Sequence, residues 1–143
     1  MATDRTAEVT WQGSLMEGSG TIDRVGSGAF GPLEVTWASR AEDPAGRTSP
    51  EELIAAAHAA CYSMALSHGL AQDGTPPERL STSATVTFVP GTGITKIALT
   101  VRATVPGLDV DAFLAQAEGA KANCPVAKAL AAVPEITLDA ALA

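Results

Sequence analysis

The sequence predicts an α+β fold with mostly antiparallel strands, and three features of its pattern lead there. Apolar residues alternate with polar ones over short stretches in the first third and again past the middle. Between those regions runs one long segment, Leu53 to Leu66, that is apolar almost throughout. A helical pattern and a short alternating stretch then close the chain. Strands, helix, strands, helix, strand is the order of an α+β architecture rather than of repeated βαβ units.

The elements follow from local chemistry. Val9 and Trp11 alternate with polar neighbours, so the first strand lies there. Gly18-Ser19-Gly20 reads as a turn, Thr21 to Val25 as a second short strand and Gly26-Ser27-Gly28 as another turn. Leu33, Val35 and Trp37 alternate with Glu34, Thr36 and Ala38, which predicts a half-buried strand. Arg40 to Thr48 carries Pro44, Gly46 and several charges and reads as a loop. A helix then starts. Ser49 can cap it, Pro50 suits its first position, and Glu52 completes a capping box, with Glu51 adding negative charge at the positive end of the dipole. This helix should reach about Leu70. Asp73-Gly74-Thr75-Pro76-Pro77 breaks the chain. Ala84, Val86 and Phe88 mark a strand and Pro90-Gly91-Thr92-Gly93 a hairpin loop. Ile97, Leu99, Val101, Ala103 and Val105 mark the returning strand. A second helix starts near Asp109 or Asp111 and is interrupted at Asn123-Cys124-Pro125. A further helix runs to Ala132, and Ile136, Leu138 and Ala140 form a last strand.

Composition narrows the function. The chain of 143 residues fits one domain, residues 1–143, or two closely joined layers. With 46% hydrophobic and 17% charged residues it is globular, but aromatics reach only 4%. A core of small side chains buries little area per residue, which favours oligomerisation. The long helix points the same way, because a helix apolar on nearly all sides needs covering on nearly all sides. The net charge of -7 and the scatter of nine basic residues argue against nucleic acid and against an anionic membrane surface. No apolar run is long enough for a spanning helix, and the start, Met1 to Glu8, has no apolar stretch of a secretory signal. The expectation is a cytoplasmic protein. There, two cysteines are more often catalytic, redox-sensing or merely buried than a structural staple.

Few residues can carry chemistry. Cys61 lies mid-helix and from position alone reads as a small buried hydrophobe. Cys124 has the stronger local signal. Pro125 pushes its backbone away from helical angles, and the helix that follows offers free N–H groups that favour a thiolate, with Lys121 nearby. His58, three residues before Cys61, can touch it, and a Cys–His couple would suggest acyl transfer. Cysteines and histidines together are too few and too irregularly spaced for a metal site. Glu51 and Glu52 are explained by capping, and Arg40 and Arg47 by loop solvation.

Longer motifs add to this. Ser49-Pro50-Glu51-Glu52-Leu53-Ile54-Ala55-Ala56-Ala57-His58-Ala59-Ala60-Cys61-Tyr62-Ser63-Met64-Ala65-Leu66 closely resembles the first-cysteine helix of the OsmC branch of the OsmC/Ohr family. Gly93-Ile94-Thr95-Lys96-Ile97-Ala98-Leu99 resembles a strand of that branch, and Lys121-Ala122-Asn123-Cys124-Pro125-Val126 its second-cysteine motif. Glu17-Gly18-Ser19-Gly20 fits its N-terminal hairpin. The resemblance implies an intertwined homodimer of mostly antiparallel sheets around a long buried central helix. It implies thiol-dependent reduction of hydroperoxides, organic ones preferred, with Cys61 as the attacking and Cys124 as the resolving cysteine. The family's site glutamate matches Glu51, and its arginine matches Arg40 better than Arg47. The helix-terminus argument alone would have made Cys124 the attacker.

The implied chemistry uses no metal, flavin or haem, only an external dithiol such as a dihydrolipoyl group. Arg40, oriented by Glu51, supplies positive charge to the Cys61 sulfur. The peroxide oxidises that sulfur to a sulfenic acid, and Cys124 condenses with it to a disulfide. Glu51 and Cys61 are ten residues apart on one helix, roughly 15 Å along its axis. An antiparallel helix from a second subunit, crossing near Ala56, would bring one subunit's Glu51 level with the other's Cys61. Two competing readings stay open: a redox-sensing or ligand-binding dimer whose disulfide signals, and an acyl-transfer enzyme using Cys61 and His58.

Overall fold

The computed structural model describes residues 1–143, which divide into two compact units, Met1–Leu53 and Ile54–Ala143. The first unit holds β1 (Ala7–Gln12), β2 (Ser19–Val25), β3 (Leu33–Val35), the short α1 (Trp37–Ala41) and the first turn of α2 (Pro50–Gln72). The second holds the rest of α2, then β4 (Arg79–Val89), β5 (Gly93–Thr104), α3 (Val110–Asn123), α4 (Pro125–Ala129) and β6 (Glu135–Leu142). The α+β expectation is met. No helix is long and apolar enough to cross a membrane.

In the first unit β1, β2 and β3 form an antiparallel sheet in that order. The sequence reading placed a turn at Gly18-Ser19-Gly20, but β2 already begins at Ser19. The reversal lies one step earlier, at Gly13 to Gly18, where Gly13 takes a positive φ of 89°. Gly18 must lack a side chain there, since a Cβ would sit 2.3 Å from the Ser14 carbonyl oxygen. Gly20 is a strand residue for a different reason. It pairs with Trp11, whose ring lies where a Cβ would be.

The expected strand through Trp37 is also corrected. Pairing stops at Val35, and Thr36 caps α1. Its hydroxyl accepts from the Ser39 N–H at 3.0 Å, and the Ser39 hydroxyl accepts from the Thr36 N–H at 2.9 Å. Serine can close a capping box like the usual Glu or Gln, and here that box outweighs the alternation of Val35 and Trp37. Arg40, expected in a loop, is therefore carried on a helix.

α2 starts as expected and runs two residues further, to Gln72. Ser49 accepts from the Glu52 N–H at 3.1 Å, so half of the box forms. The other half does not: the Glu52 carboxylate takes the Thr48 hydroxyl at 2.9 Å instead.

In the second unit β5 is central, antiparallel to β4 and parallel to β6. Its alternate residues Ile97, Leu99, Val101 and Ala103 are buried. Leu99, Val101 and Ala103 form one core with Tyr62, Leu66 and Leu70 of α2 and Phe113, Ala117 and Ala120 of α3. Each large apolar side chain in it contributes about 1.5–3 kcal/mol of burial. Two polar contacts fix α2 in register. The Tyr62 hydroxyl donates to the Ala117 carbonyl at 3.0 Å, and Ser63 bonds the Thr82 hydroxyl at 2.7 Å. A parallel β5–β6 pair requires a crossover. α3 and α4 form it, and Cys124 sits at their junction. α4 ends at Ala129, short of the expected Ala132.

Only one face of α2 is covered within this chain. Tyr62, Leu66 and Leu70 are fully buried, whereas Ala56, Ala60 and Met64 form an exposed stripe, with Met64 73% exposed.

Candidate active site

The second unit brings Cys61 and Cys124 together from separate helices. Both are free thiols, and the two side chains are within hydrogen-bonding reach of each other. α2 supplies Cys61, held in place one residue before the Tyr62 anchor. The chain leaves helical geometry at Cys124 (φ −56°, ψ 123°), as Pro125 requires. The Cys124 N–H still closes α3 on Ala120, and its carbonyl starts α4 through Lys128.

Their exposure is the reverse of what position suggested. Cys61 is partly exposed and Cys124 fully buried. The expectation of a thiolate-favouring Cys124 fails for that reason. Burial pushes the Cys124 thiol up from its ordinary value, and the hydrogen bond with Cys61 adds to the shift. The amides of Val126 and Ala127 pull the other way but form no cap hydrogen bond with the side chain, and they are outweighed. One turn of helix is too weak a field to offset the desolvation of a sulfur with no accessible surface.

The first unit brings Arg40 and Glu51 together. The Arg40 Nε and Nη2 groups donate to Glu51 Oε1 at 2.9 and 2.8 Å, and Nε also reaches Oε2 at 3.2 Å. Glu51 is buried and Arg40 partly so. A carboxylate in that setting requires its cation, and removing one partner of such a pair costs about 3–5 kcal/mol. Arg47 lies outside this arrangement and pairs with Glu34 at 3.0 Å on the surface. The two arginines that sequence could barely separate have different partners.

Arg40 also lines an apolar cleft of about 280 Å³ in the same unit. Val9, Trp11, Leu15, Ile22, Val35, Trp37, Pro50 and Leu53 form its walls, with Thr36 as the other polar residue. No sign of this cleft is visible in the sequence, because its walls come from five separate elements and the β1–β2 connection.

His58 is fully buried, and neither ring nitrogen has a hydrogen-bond partner. No Cys–His couple is therefore formed with Cys61. Burial lowers the imidazole pKa, so the ring is neutral near pH 7. An unsatisfied buried polar group costs about 1–3 kcal/mol. No group of three or more His, Cys, Asp or Glu side chains is arranged to hold a metal ion.

The model of the family described as "OsmC-like protein" matches residues 42–139. Peroxiredoxin OsmC of Escherichia coli (strain K12) is 42% identical over 142 residues, covering 97% of this chain and 96% of that one. A protein of the same name from Shigella flexneri matches equally well. Among solved structures, the organic hydroperoxide resistance protein OhrB of Bacillus subtilis superposes with a TM-score of 0.67 at 24% identity, covering 95% of this chain and 98% of that one. An organic hydroperoxide resistance protein OsmC from Legionella pneumophila gives 0.66 at 21%, covering 95% and 96%.

Proposed function

The chain belongs to the OsmC-like protein family, and we propose that it is a thiol-dependent peroxidase that reduces organic hydroperoxides, and hydrogen peroxide more weakly, to alcohols and water. The observation that carries the proposal is the meeting of two free thiols of unlike exposure, Cys61 partly open and Cys124 buried behind it. That is the arrangement an attacking and a resolving sulfur need. The relative named Peroxiredoxin OsmC supports the same reaction class.

The Cys61 thiolate attacks the terminal peroxide oxygen. The O–O bond breaks, an alkoxide leaves and takes a proton as alcohol, and Cys61 is left as a sulfenic acid. Cys124 then attacks the Cys61 sulfur, expelling water and forming the Cys61–Cys124 disulfide, which guards Cys61 against further oxidation. An external dithiol, such as a dihydrolipoyl group, restores both thiols by exchange. The scheme calls for no metal, flavin or haem. A cytoplasmic setting suits it, since thiol pools there stay reduced. The apolar cleft beside Arg40 favours an alkyl or aryl peroxide.

The site is shared between two subunits of a homodimer. Glu51 and Cys61 are separated by roughly 15 Å of helix axis, so the Arg40–Glu51 pair of one subunit serves the Cys61 of the other. The exposed stripe of Ala56, Ala60 and Met64 on α2, and the exposed Val9 and Trp11 of β1, support a covering partner.

Turnover assays test this reading. Cumene hydroperoxide and hydrogen peroxide, each offered with dithiothreitol, dihydrolipoamide or a monothiol, should give fastest consumption with cumene hydroperoxide and a dithiol. Binding or signalling without peroxide consumption would favour the redox-sensor alternative.

The arginines provide a second test. Loss of a charge-assisted contact costs about 1.5–3 kcal/mol, which is about ten- to a hundredfold in rate. Arg40→Ala should slow the reaction of Cys61 with peroxide by that factor at neutral pH, and Arg47→Ala should change it little. Stopped-flow measurement of both variants checks the ranking, and the reverse order would reassign the role to Arg47.

A further inference from the structure

Both of the chain's tryptophans line the apolar cleft, and Arg40 is its one charged residue. Part of its wall is one face of the first sheet. There Val9 stands opposite Ile22, and Trp11 opposite Gly20, which pairs on its other side with Val35. Gly20 is thus a gap in an apolar face, and the Trp11 ring fills it: a Cβ on Gly20 would sit 2.6 Å from Trp11 Cε3. The indole is tied down at its nitrogen as well, where the N–H donates to the Gly13 carbonyl at 3.0 Å. A side chain as open as this one, 41% exposed, ordinarily changes rotamer within nanoseconds. Trp11 is instead held at two points. A ring already fixed beside a cleft loses little freedom when a ligand packs on it.

Resting on the peroxidase reading, we propose that Trp11 is the specificity-determining residue of the cleft and that Gly20 is its positioning residue. The fixed indole gives the cleft an aromatic wall, and an aryl hydroperoxide packs its ring there with the peroxide group toward Arg40. Hydrogen peroxide has neither a ring nor apolar surface to lay on that wall, so it gains nothing from it. Gly20 acts only through Trp11. Any side chain at Gly20 takes the space of the ring and pushes it off the sheet face.

The test reads, in full-length protein, the ratio of kcat/KM for cumene hydroperoxide to kcat/KM for hydrogen peroxide. Trp11→Ala should lower that ratio about tenfold or more, the scale of a lost apolar contact in a pocket. Trp11→Leu keeps apolar bulk without the ring and should lower it about two- to tenfold. Gly20→Ala should lower it by a similar factor, because the ring is present but displaced. Combined with Trp11→Ala, the same Gly20→Ala change should lower it no further. With the ring gone, the nearest atom to the new Cβ is the Thr10 carbonyl oxygen at 3.5 Å, an ordinary contact, so the double variant folds even where Gly20→Ala alone does not. A second readout needs no turnover. In Cys61→Ser/Trp37→Phe, Trp11 is the only tryptophan, and its emission should change saturably with 2-phenylpropan-2-ol, the alcohol that cumene hydroperoxide yields. An unchanged ratio in Trp11→Ala and Trp11→Leu would overturn the proposal. A further loss from Gly20→Ala in the Trp11→Ala background would overturn the positioning role. If the wild-type protein consumes no peroxide, the peroxidase reading itself fails, and the emission change then decides alone whether Trp11 is an aryl-binding wall.

Discussion

Cys61→Ser should consume no hydroperoxide beyond the background rate of the dithiol alone. A serine hydroxyl is not ionised at neutral pH and cannot take up the peroxide oxygen as sulfur does. Cys124 cannot take over, because it has no accessible surface and its thiol is pushed up by burial. Cys124→Ser should fail differently. Its Cys61 still attacks, so a first equivalent of peroxide is reduced. The sulfenic acid then has no resolving partner and moves on to sulfinic and sulfonic acids under excess peroxide. The two variants therefore differ in kind: one never starts, the other reduces a first equivalent and is then spent by over-oxidation. Rapid-mixing peroxide consumption, measured against enzyme concentration, distinguishes no uptake from a fast first equivalent followed by slower uptake as Cys61 over-oxidises. Full activity in Cys61→Ser would end the scheme.

Mixing two impaired proteins should revive activity. Glu51→Ala removes the acceptor of the Arg40 Nε and Nη2 hydrogen bonds and should slow the reaction about as much as Arg40→Ala, and Cys61→Ser removes the attacking sulfur, so one homodimer is nearly inactive and the other wholly so. If each site takes Glu51 from one subunit and Cys61 from the other, a mixed dimer holds one doubly damaged site and one intact site. Random exchange makes half of all dimers mixed, so about a quarter of wild-type activity should return. Ala56→Arg, on the exposed stripe of α2, should split the dimer and abolish activity together. Sedimentation of the exchanged sample proves the mixing. No recovery after proven exchange would assign Glu51 and Cys61 to the same subunit's site.

The parts of the fold that were legible in sequence are those where one local rule acts alone. The alternation from Ile97 to Ala103 reads directly because β5 is central and every second side chain enters the core. Ser49, Pro50 and Glu51 mark the start of α2 because capping chemistry is local. α1 was hidden because Val35 and Trp37 imitate a strand, while the Thr36–Ser39 box that overrides them uses a serine where a glutamate is expected. The site was legible as residues but not as contacts. Arg40 and Arg47 flank the same turn, and only tertiary structure gives Glu51 to one and Glu34 to the other. Cys124 misled for a related reason. The helix start after it is visible in sequence, and the burial that outweighs that helix start is not.

The central claim, that peroxide oxidises Cys61 and that Cys124 resolves it, is tested most directly by mass. Reduced protein is treated with one equivalent of cumene hydroperoxide, quenched with acid and an alkylating agent, and analysed intact and after proteolysis. The account predicts a product lighter than the dithiol by two hydrogens, resistant to alkylation, with Cys61 and Cys124 in one cross-linked peptide pair. In Cys124→Ser the same treatment should add a single oxygen, located on Cys61. Oxygen found on Cys124 in Cys61→Ser, or a wild-type protein that remains fully alkylatable after peroxide, would contradict it.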